Sequence, residues 1–163
     1  MIYAGTDDGR LHVTQNGGDD WKAIDNALPT KWVSRIVASK FDTGTVYVSL
    51  NGKRDDDFQA YLYRSDDFGE SWTDVCGNLP GGPINVVRED PFREGFLYVG
   101  TDLGVFVSPD FGENWNVLGS GLPITFVHDF VVQIPEKTAV IATHGRGVFK
   151  LDIKTVPING QEE

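Results

Sequence analysis

The sequence has a single cysteine, a single methionine and no apolar run long enough to cross a membrane. Cys76 has no partner for a disulfide within the chain. Its place beside Val75 on a predicted strand favours a small buried side chain over a nucleophile, because no base is predicted nearby.

Basic residues are also few: the chain has 14 Lys and Arg and 24 Asp and Glu, which gives a net charge of −10. That balance argues against nucleic acid or an anionic membrane as the main partner.

Glycine, in contrast, is abundant, with 19 residues in a chain of 163. No stretch keeps a helical period over several turns, so the chain is predicted to be strands joined by tight turns. One motif occurs three times: a hydroxyl residue, a spacer, Asp or Asn, a spacer, glycine, two spacers and tryptophan. The copies are TQNGGDDW at 14–21, SDDFGESW at 65–72 and SPDFGENW at 108–115.

Each position of the motif has a physical reason. The hydroxyl and the Asp or Asn side chain hydrogen-bond backbone groups and close a turn. Glycine supplies a positive φ that other residues resist. Tryptophan begins the next strand and is expected to lie in the core. The predicted turn-forming residues are Thr14, Asn16, Gly18 and Trp21, then Ser65, Asp67, Gly69 and Trp72, and then Ser108, Asp110, Gly112 and Trp115.

The spacing of the motif predicts the architecture. The copies begin at positions 14, 65 and 108, which gives steps of 51 and 43 residues. Leu-Pro pairs at 28, 79 and 122 follow the same steps. A period of about 40–50 residues with several short strands in each period is typical of a β-propeller, which has about four strands per blade.

The three copies resemble Asp-boxes, the BNR-type repeats of sialidases, sortilin-type receptor domains and several propeller hydrolases. Longer segments, among them IYAGTDDGRLHVTQNGGDDW and the closing IATHGRGVFKLDI, resemble bacterial sortilin-like BNR-repeat proteins, which are often labelled glycosyl hydrolases. The resemblance covers nearly the whole chain. It implies an all-β propeller and an extracytoplasmic or secreted location.

The predicted strands make about three and a half four-stranded blades, with strands labelled A to D outward from the axis. The first blade lacks its A strand and the last lacks its D strand. The predicted divisions of the partial propeller at 1–155 are an incomplete blade at 2–24, blades at 31–76 and 84–118, an incomplete blade at 127–153, and then a polar tail at 156–163. Propellers have about 4–8 blades, so this number cannot close a ring. The chain is therefore either a piece of a longer protein, which we favour, or one that covers its edges by self-association, and we expect the isolated chain to form a dimer or larger assembly through the open blade edges.

The unequal steps locate one insertion. The extra residues fall in the B–C loop from Asn51 to Ala60, NGKRDDDFQA. In propellers the B–C and D–A loops share one face and the Asp-box turns lie on the other, and insertions tend to collect on the binding face. The loop is read as a hydrated hairpin tip, as a grip on a polar or protein ligand with Arg54 contacting carboxylates, or as a calcium site at Asp55–Asp57. The ligand spacing of a known calcium loop is absent, and no other metal or cofactor is predicted.

Other side chains are predicted on the same face. In the closing THGRG, His144 could act as an acid or base and Arg146 could bind an anion, or both could tie the turn to a neighbouring blade. His128 is expected to be packed rather than to line the channel. The candidate ligand-binding residues are Asp7, Asp8, Arg10, Trp32, Lys53, Arg54, Asp55, Asp56, Asp57, Asp102, His144 and Arg146.

No catalytic residue can be assigned from these patterns. Most glycosidases need two carboxylates across the scissile bond, and no such pair is recognisable in the sequence. None of the arginines matches the arginine motif of the Asp-box sialidases. We therefore predict a non-catalytic interaction module that binds protein, peptide or glycan through the B–C and D–A loop face. The alternatives are a fragment of a BNR-repeat glycoside hydrolase, sialidase-like or glucan-cleaving, and a purely structural part of a larger propeller.

Overall fold

The computed structural model describes residues 1–119, 121–154 and 156. These residues form 14 strands and one short 3-10 turn, which confirms the all-β class. Of the predicted polar tail, all but Val156 lies outside the described residues. Across the same range, no helix has the length and apolar character needed to cross a membrane.

The strands form four antiparallel sheets in which neighbours in sequence are neighbours in space. The first sheet contains β1 (Ile2–Gly5), β2 (Leu11–Thr14) and β3 (Lys22–Ala23). The second contains β4 (Trp32–Ala38), β5 (Val46–Asn51), β6 (Tyr61–Ser65) and β7 (Thr73–Asp74). The third contains β8 (Ile84–Glu89), β9 (Leu97–Thr101), β10 (Gly104–Ser108) and β11 (Asn116–Val117). The fourth contains β12 (Val127–Gln133), β13 (Thr138–Thr143) and β14 (Val148–Asp152).

The sheets pack face to face through three hydrophobic clusters, one at each junction. Leu11 and Ile24 meet Val48 between the first and second sheets. Equivalent clusters join the second sheet to the third and the third to the fourth. Because the third sheet is covered on both faces, every residue of β9 and β10 is buried. In β14, by contrast, exposed and partly buried residues alternate, as expected for a sheet with one open face.

The innermost strand of three sheets carries a bulge near its start. The pairing skips one residue in β4, one in β8 and one in β12, and the extra residues are Ser34, Asn85 and His128. A bulge re-aims a side chain and increases the local twist. These three polar residues lie at the same end of the sheets, where the D–A connections enter.

The repeated motif forms closed turns at the other end. In the second copy, Ser65 Oγ accepts from Gly69 N at 2.7 Å and donates to Asp67 Oδ1 at 2.7 Å. Asp67 also accepts from the hydroxyl of Ser71 at 2.6 Å and from its backbone N–H at 2.8 Å. The Ser71 hydroxyl is the main reason that the pKa of Asp67 is lowered to about 2.

The box tryptophans pack on the sheet that precedes their own. Trp72 Nε1 donates to Ile24 O at 2.8 Å, and Trp115 Nε1 donates to Val75 O at 3.1 Å. Trp115 is 4% exposed, but Trp21 is 45% exposed. The prediction that Trp21 lies in the core is therefore wrong. No described sheet lies in front of the first one, so its tryptophan has nothing to pack on.

The lone cysteine lies inside the second sheet rather than in a cleft. Cys76 Sγ accepts from Leu62 N at 3.2 Å. Burial raises the pKa of the thiol to about 12. The group is therefore a neutral thiol at physiological pH, which is consistent with a packing role.

Candidate functional site

The two ends of the sheets are distinct because successive strands alternate in direction. The Asp-box turns meet the A–B turns at one end, where Phe68 N donates to Gly44 O at 3.0 Å and Phe111 N donates to Gly95 O at 2.8 Å. The B–C turns and D–A connections therefore lie at the opposite end. We call these the box end and the loop end.

Two adjoining depressions open at the loop end, next to the innermost strands. The larger, of about 440 Å³, is lined by Trp32, Ser34, Arg35, Asn51, Lys53, Arg54, Asn85, Phe126 and His128. The smaller, of about 220 Å³, is lined by Asp7, Asp8, Thr30, Lys31, Trp32, Asn51, Arg54 and Asp55. They share Trp32, Asn51 and Arg54, and together they form one groove, the loop-end cleft.

Trp32 stands between the two halves of this cleft. It is the first residue of β4 and is half-buried. The guanidinium of Arg54 lies 4.8 Å from the centre of the Trp32 ring, a cation–π distance. Arg54 also approaches Asp7 Oδ2 at 3.4 Å, and both side chains of this pair are exposed. Trp32 thus presents an aromatic surface that is covered by the exposed side chain of Arg54.

The inserted loop at 51–60 is anchored by ion pairs to the third sheet and to the connection that enters the second sheet. Lys53–Asp55 forms a single 3-10 turn. Lys53 Nζ lies 2.8 Å from Asp102 Oδ2 in the third sheet's B–C turn. Lys31 Nζ lies 3.1 Å from Asp55 and 3.3 Å from Asp57, just before the second sheet. The insertion therefore forms a wall of the cleft.

The three aspartates of this loop do not converge. Asp55 and Asp57 contact Lys31, and Asp57 also accepts from the Tyr61 hydroxyl at 2.7 Å. Asp56 is exposed and has a positive φ of 55°. Among the described residues, no group of three or more His, Cys, Asp or Glu side chains is arranged to hold a metal ion. The calcium site at Asp55–Asp57 stays a prediction from sequence.

A chain of hydrogen bonds crosses the floor of the cleft from the second sheet to the third. Asn51 Nδ2 donates to Asn85 Oδ1 at 2.9 Å, and Asn85 Nδ2 donates to Asp102 Oδ1 at 2.9 Å. Asn51 is almost fully buried. The two asparagines were not among the residues predicted from sequence, because neither belongs to a motif. Asn85 is the extra residue of the β8 bulge, and the only signal in the sequence was its position at the start of a predicted A strand.

Aromatic rings close the far end of the cleft. The centre of the Phe126 ring lies 4.7 Å from that of His128 and 6.0 Å from that of His144. The Lys53 ammonium lies 4.7 Å from the centre of the Phe126 ring. The expectation that His128 is packed structure is wrong, because the β12 bulge turns it outward and leaves it exposed in the cleft.

The innermost strands add positive charge beside the cleft. Asp129 Oδ1 accepts from Arg35 Nη2 at 3.2 Å and from Arg88 Nη2 at 2.9 Å. One carboxylate thus serves two guanidinium groups. Burial, together with the charge of Arg35, lowers the pKa of Arg88 from its ordinary value.

Six of the predicted residues are outside the cleft lining: Arg10, Asp56, Asp57, Asp102, His144 and Arg146. Arg10 pairs with Asp25 at 2.9 Å on the first sheet. Arg146 is exposed in the turn between β13 and β14. Asp102 lies behind the lining, where it holds Lys53 and Asn85. The structure brings Asp7, Asp8, Trp32, Lys53, Arg54 and Asp55 into the lining, with Asp57 and His144 in direct contact with it.

Two carboxyl groups near the cleft, those of Asp8 and Asp57, have lowered pKa values. The hydroxyl of Tyr61 donates to Asp57 and lowers the pKa of that carboxyl. The hydroxyl of Thr6 does the same for Asp8. A glycosidase acid needs a raised pKa so that it still holds its proton near neutral pH. These two shifts go in the opposite direction.

Comparisons with known proteins agree with this fold. The BNR-Asp box repeat family matches residues 62–75. The oligoxyloglucan-reducing end-specific xyloglucanase of Emericella nidulans is 33% identical over 104 residues, which are 60% of this chain and 12% of that protein. The Niastella koreensis GH74 enzyme superposes on 92% of this chain and 26% of its own, with 15% identity and a TM-score of 0.69. YCF48 bound to D1 peptide superposes on 93% of this chain and 47% of its own, with 16% identity and a TM-score of 0.66.

These similarities and the four meander sheets define the class of the protein. The chain is a β-propeller segment with Asp-box (BNR) repeats, as the sequence predicted. Within that class it is similar to GH74 enzymes and to YCF48. The chain spans 12% of the xyloglucanase and 47% or less of these two solved propellers. The sortilin-like part of the expected resemblance is carried by none of these matches and stays a prediction.

Proposed function

We propose that this chain is a non-catalytic interaction module that binds an extended polar chain, a glycan in the first place, along the loop-end cleft. The observation that carries the proposal is Trp32, an aromatic wall shared by both halves of the groove. Binding sites typically combine such an apolar surface with a few fixed polar groups. Asn51 and Asn85 supply polar groups that are already held in place by hydrogen bonds.

The charges of the cleft favour a ligand without strong charge. Lys31, Lys53 and Arg54 each face an aspartate within 3.4 Å. A sugar ring offers an apolar face for Trp32 and hydroxyls for the asparagines, and it breaks none of these pairs except the exposed one at Arg54. A peptide is the second ligand class, and the solved YCF48 complex with a D1 peptide favours it. An extracytoplasmic location is part of the same proposal and rests on family resemblance.

A second candidate function is a segment of a xyloglucan-cleaving glycoside hydrolase. The observation in its favour is the 33% identity to the Emericella nidulans xyloglucanase over 104 residues. Against it stand the lowered pKa values of Asp8 and Asp57, which keep both carboxyls ionised. In this alternative the chain would supply part of a substrate groove, and the acid would come from elsewhere in the whole protein.

Titration with xyloglucan oligosaccharides, followed by calorimetry and by release of new reducing ends, separates the two functions. We expect saturable binding and no release of reducing ends. Trp32→Ala should weaken binding about tenfold or more, a loss of about 1.4 kcal/mol. Phe41→Ala is the matched control, because Phe41 is an exposed aromatic residue in the A–B turn of the second sheet, at the box end.

Three other results of this titration would change the proposal. Reducing ends that appear in proportion to protein concentration would contradict the non-catalytic proposal and favour the hydrolase. Saturable binding that Trp32→Ala leaves unchanged would place the ligand outside the loop-end cleft. If no oligosaccharide binds but a peptide selected from a display library does, the peptide arm of the proposal replaces the glycan arm.

A further inference from the structure

Two aromatic rings of the loop-end cleft are covered by cations from the same inserted turn. The Arg54 guanidinium lies 4.8 Å from the centre of the Trp32 ring. The Lys53 ammonium lies 4.7 Å from the centre of the Phe126 ring. Both distances are within the range of a cation–π contact. Two consecutive residues of one loop thus cover two rings, one on the second sheet and one in the connection before the fourth.

The backbone of this turn is held in place, so both side chains extend from a fixed base. Asp55 N donates to Gly52 O at 2.8 Å, and Asp57 N donates to the same oxygen at 3.2 Å. The carboxylate of Asp55 lies 3.1 Å from Lys31 Nζ, just before the second sheet. A covering side chain can therefore leave its ring without a change in the fold of the loop.

The two covering side chains are held by ion pairs of different strength. Lys53 Nζ lies 2.8 Å from Asp102 Oδ2, and the Asp102 side chain is 19% exposed and belongs to the hydrogen-bond chain on the floor of the cleft. Arg54 Nη1 lies 3.4 Å from Asp7 Oδ2, and the two side chains are 62% and 72% exposed. An exposed ion pair of this length contributes little, because water screens both charges. Arg54 is therefore the side chain that a ligand can displace, whereas Lys53 is held.

We propose that the insertion is a self-blocking strap, in which Arg54 occupies the exposed surface of Trp32 until a ligand displaces it. The inference rests on the proposed function, because it concerns the same ring in the same cleft. A sugar that stacks on Trp32 competes with the guanidinium for the surface of a half-buried ring. Binding then includes the loss of one cation–π contact. Asp7 adds to the strength of the cover, since it holds the guanidinium from the neighbouring sheet.

Acrylamide quenching of tryptophan fluorescence tests the cover without any ligand. Arg54→Ala should increase the quenching, and the increase should disappear when it is combined with Trp32→Phe. Asp7→Asn keeps the arginine but removes its carboxylate, so it should give a smaller increase. Lys150→Ala is the matched control, because it removes an exposed cation from a 3.7 Å ion pair on the fourth sheet, and it should leave the quenching unchanged. Far-UV circular dichroism confirms that each variant is folded.

Calorimetric titration with xyloglucan oligosaccharides then tests the competition. We expect Arg54→Ala to bind about two- to fivefold more tightly than the parent chain, which corresponds to one exposed cation–π contact. Lys150→Ala should bind like the parent. Unchanged quenching in Arg54→Ala would overturn the proposal, because the arginine would then not cover the ring. Equal or weaker binding by Arg54→Ala would also overturn it, because the arginine would then not compete with the ligand.

The two measurements keep this proposal separate from the proposed function. If no oligosaccharide binds to the parent chain or to Arg54→Ala, the glycan arm of the proposed function fails. The quenching result then decides alone whether Arg54 covers Trp32.

Discussion

The box end and the loop end of the sheets are held together by different kinds of contact. Within each box turn the side-chain bonds join residues two to four positions apart, as from Gly69 to Ser65 and from Ser71 to Asp67, and longer contacts such as Phe68 N to Gly44 O are added when the strands pair. At the loop end the side-chain bonds join distant residues, as from Lys53 to Asp102, which are 49 positions apart. The box turns are thus local structures, whereas the loop-end cleft exists only after the sheets have assembled.

Within each repeat, we therefore expect the box end to contribute to folding stability and the loop end to contribute to ligand binding. A turn closed by its own side chains has its main polar groups already paired within the turn. The loop end varies because nothing in the motif constrains it, and so it can accept the insertion at 51–60. The comparison predicts that box-end substitutions change folding, and that loop-end substitutions change ligand affinity.

The largest expected effect comes from filling the space at a box glycine. Gly112→Ala places a methyl group against Val75 O, in addition to the strain of a φ of 93°. We expect a loss of about 2–6 kcal/mol in the free energy of unfolding, from about 1–3 for backbone strain and about 1–3 for overpacking. Gly18→Ala is the matched control with a φ of 113° and open space, and should cost the strain alone. Urea denaturation of both variants measures the difference, and equal losses would contradict the packing part of the account.

A smaller effect concerns acid. The pKa of Asp67 is about 2 in the folded chain, below the ordinary value of 3.8, because the Ser71 hydroxyl donates to the carboxylate. A depressed pKa gives stability that is complete above about pH 4 and is lost as the pH falls from 3.8 toward 2. Asp67→Asn should therefore lose less stability than the parent chain between pH 5 and about pH 2.5.

The first box shows that this substitution suits the turn. Asn16 already occupies the equivalent position, and its Oδ1 accepts from Asp20 N at 3.0 Å. Thermal denaturation of the parent and of Asp67→Asn at both pH values is the measurement. An equal fall in melting temperature for the two proteins would mean that the carboxylate of this box does not contribute to acid sensitivity.

The box end was predictable from sequence because its chemistry is local. A hydroxyl, an Asp or Asn, a glycine and a tryptophan at fixed spacing describe the turn almost completely. The prediction for Trp21 was wrong because the burial of this side chain is not a local property. Its burial depends on another sheet, and spacing within the motif contains no information about whether that sheet is present.

The loop-end cleft was predictable only in part. The insertion at 51–60 is visible as a departure from the period, whereas Trp32 follows a Leu-Pro pair that keeps the period. Phe126 lies in a connection without a motif, and the role of His128 depends on a bulge that the sequence does not mark. Arg10 shares its turn with Asp7 and Asp8 of the lining, but its own side chain pairs with Asp25 instead. Arg146 lies in the turn between β13 and β14, outside the lining.

The structure leads us to expect ligand binding at the loop end and not at the box end. Chemical-shift mapping of the ¹⁵N-labelled chain during titration with xyloglucan oligosaccharides tests it most directly. We predict that the Trp32 indole N–H and the amides of Asn51, Lys53 and Asn85 shift together and saturate, while the box glycines do not shift. Saturating shifts at Gly18, Gly69 and Gly112 with an unchanged Trp32 signal would contradict this expectation.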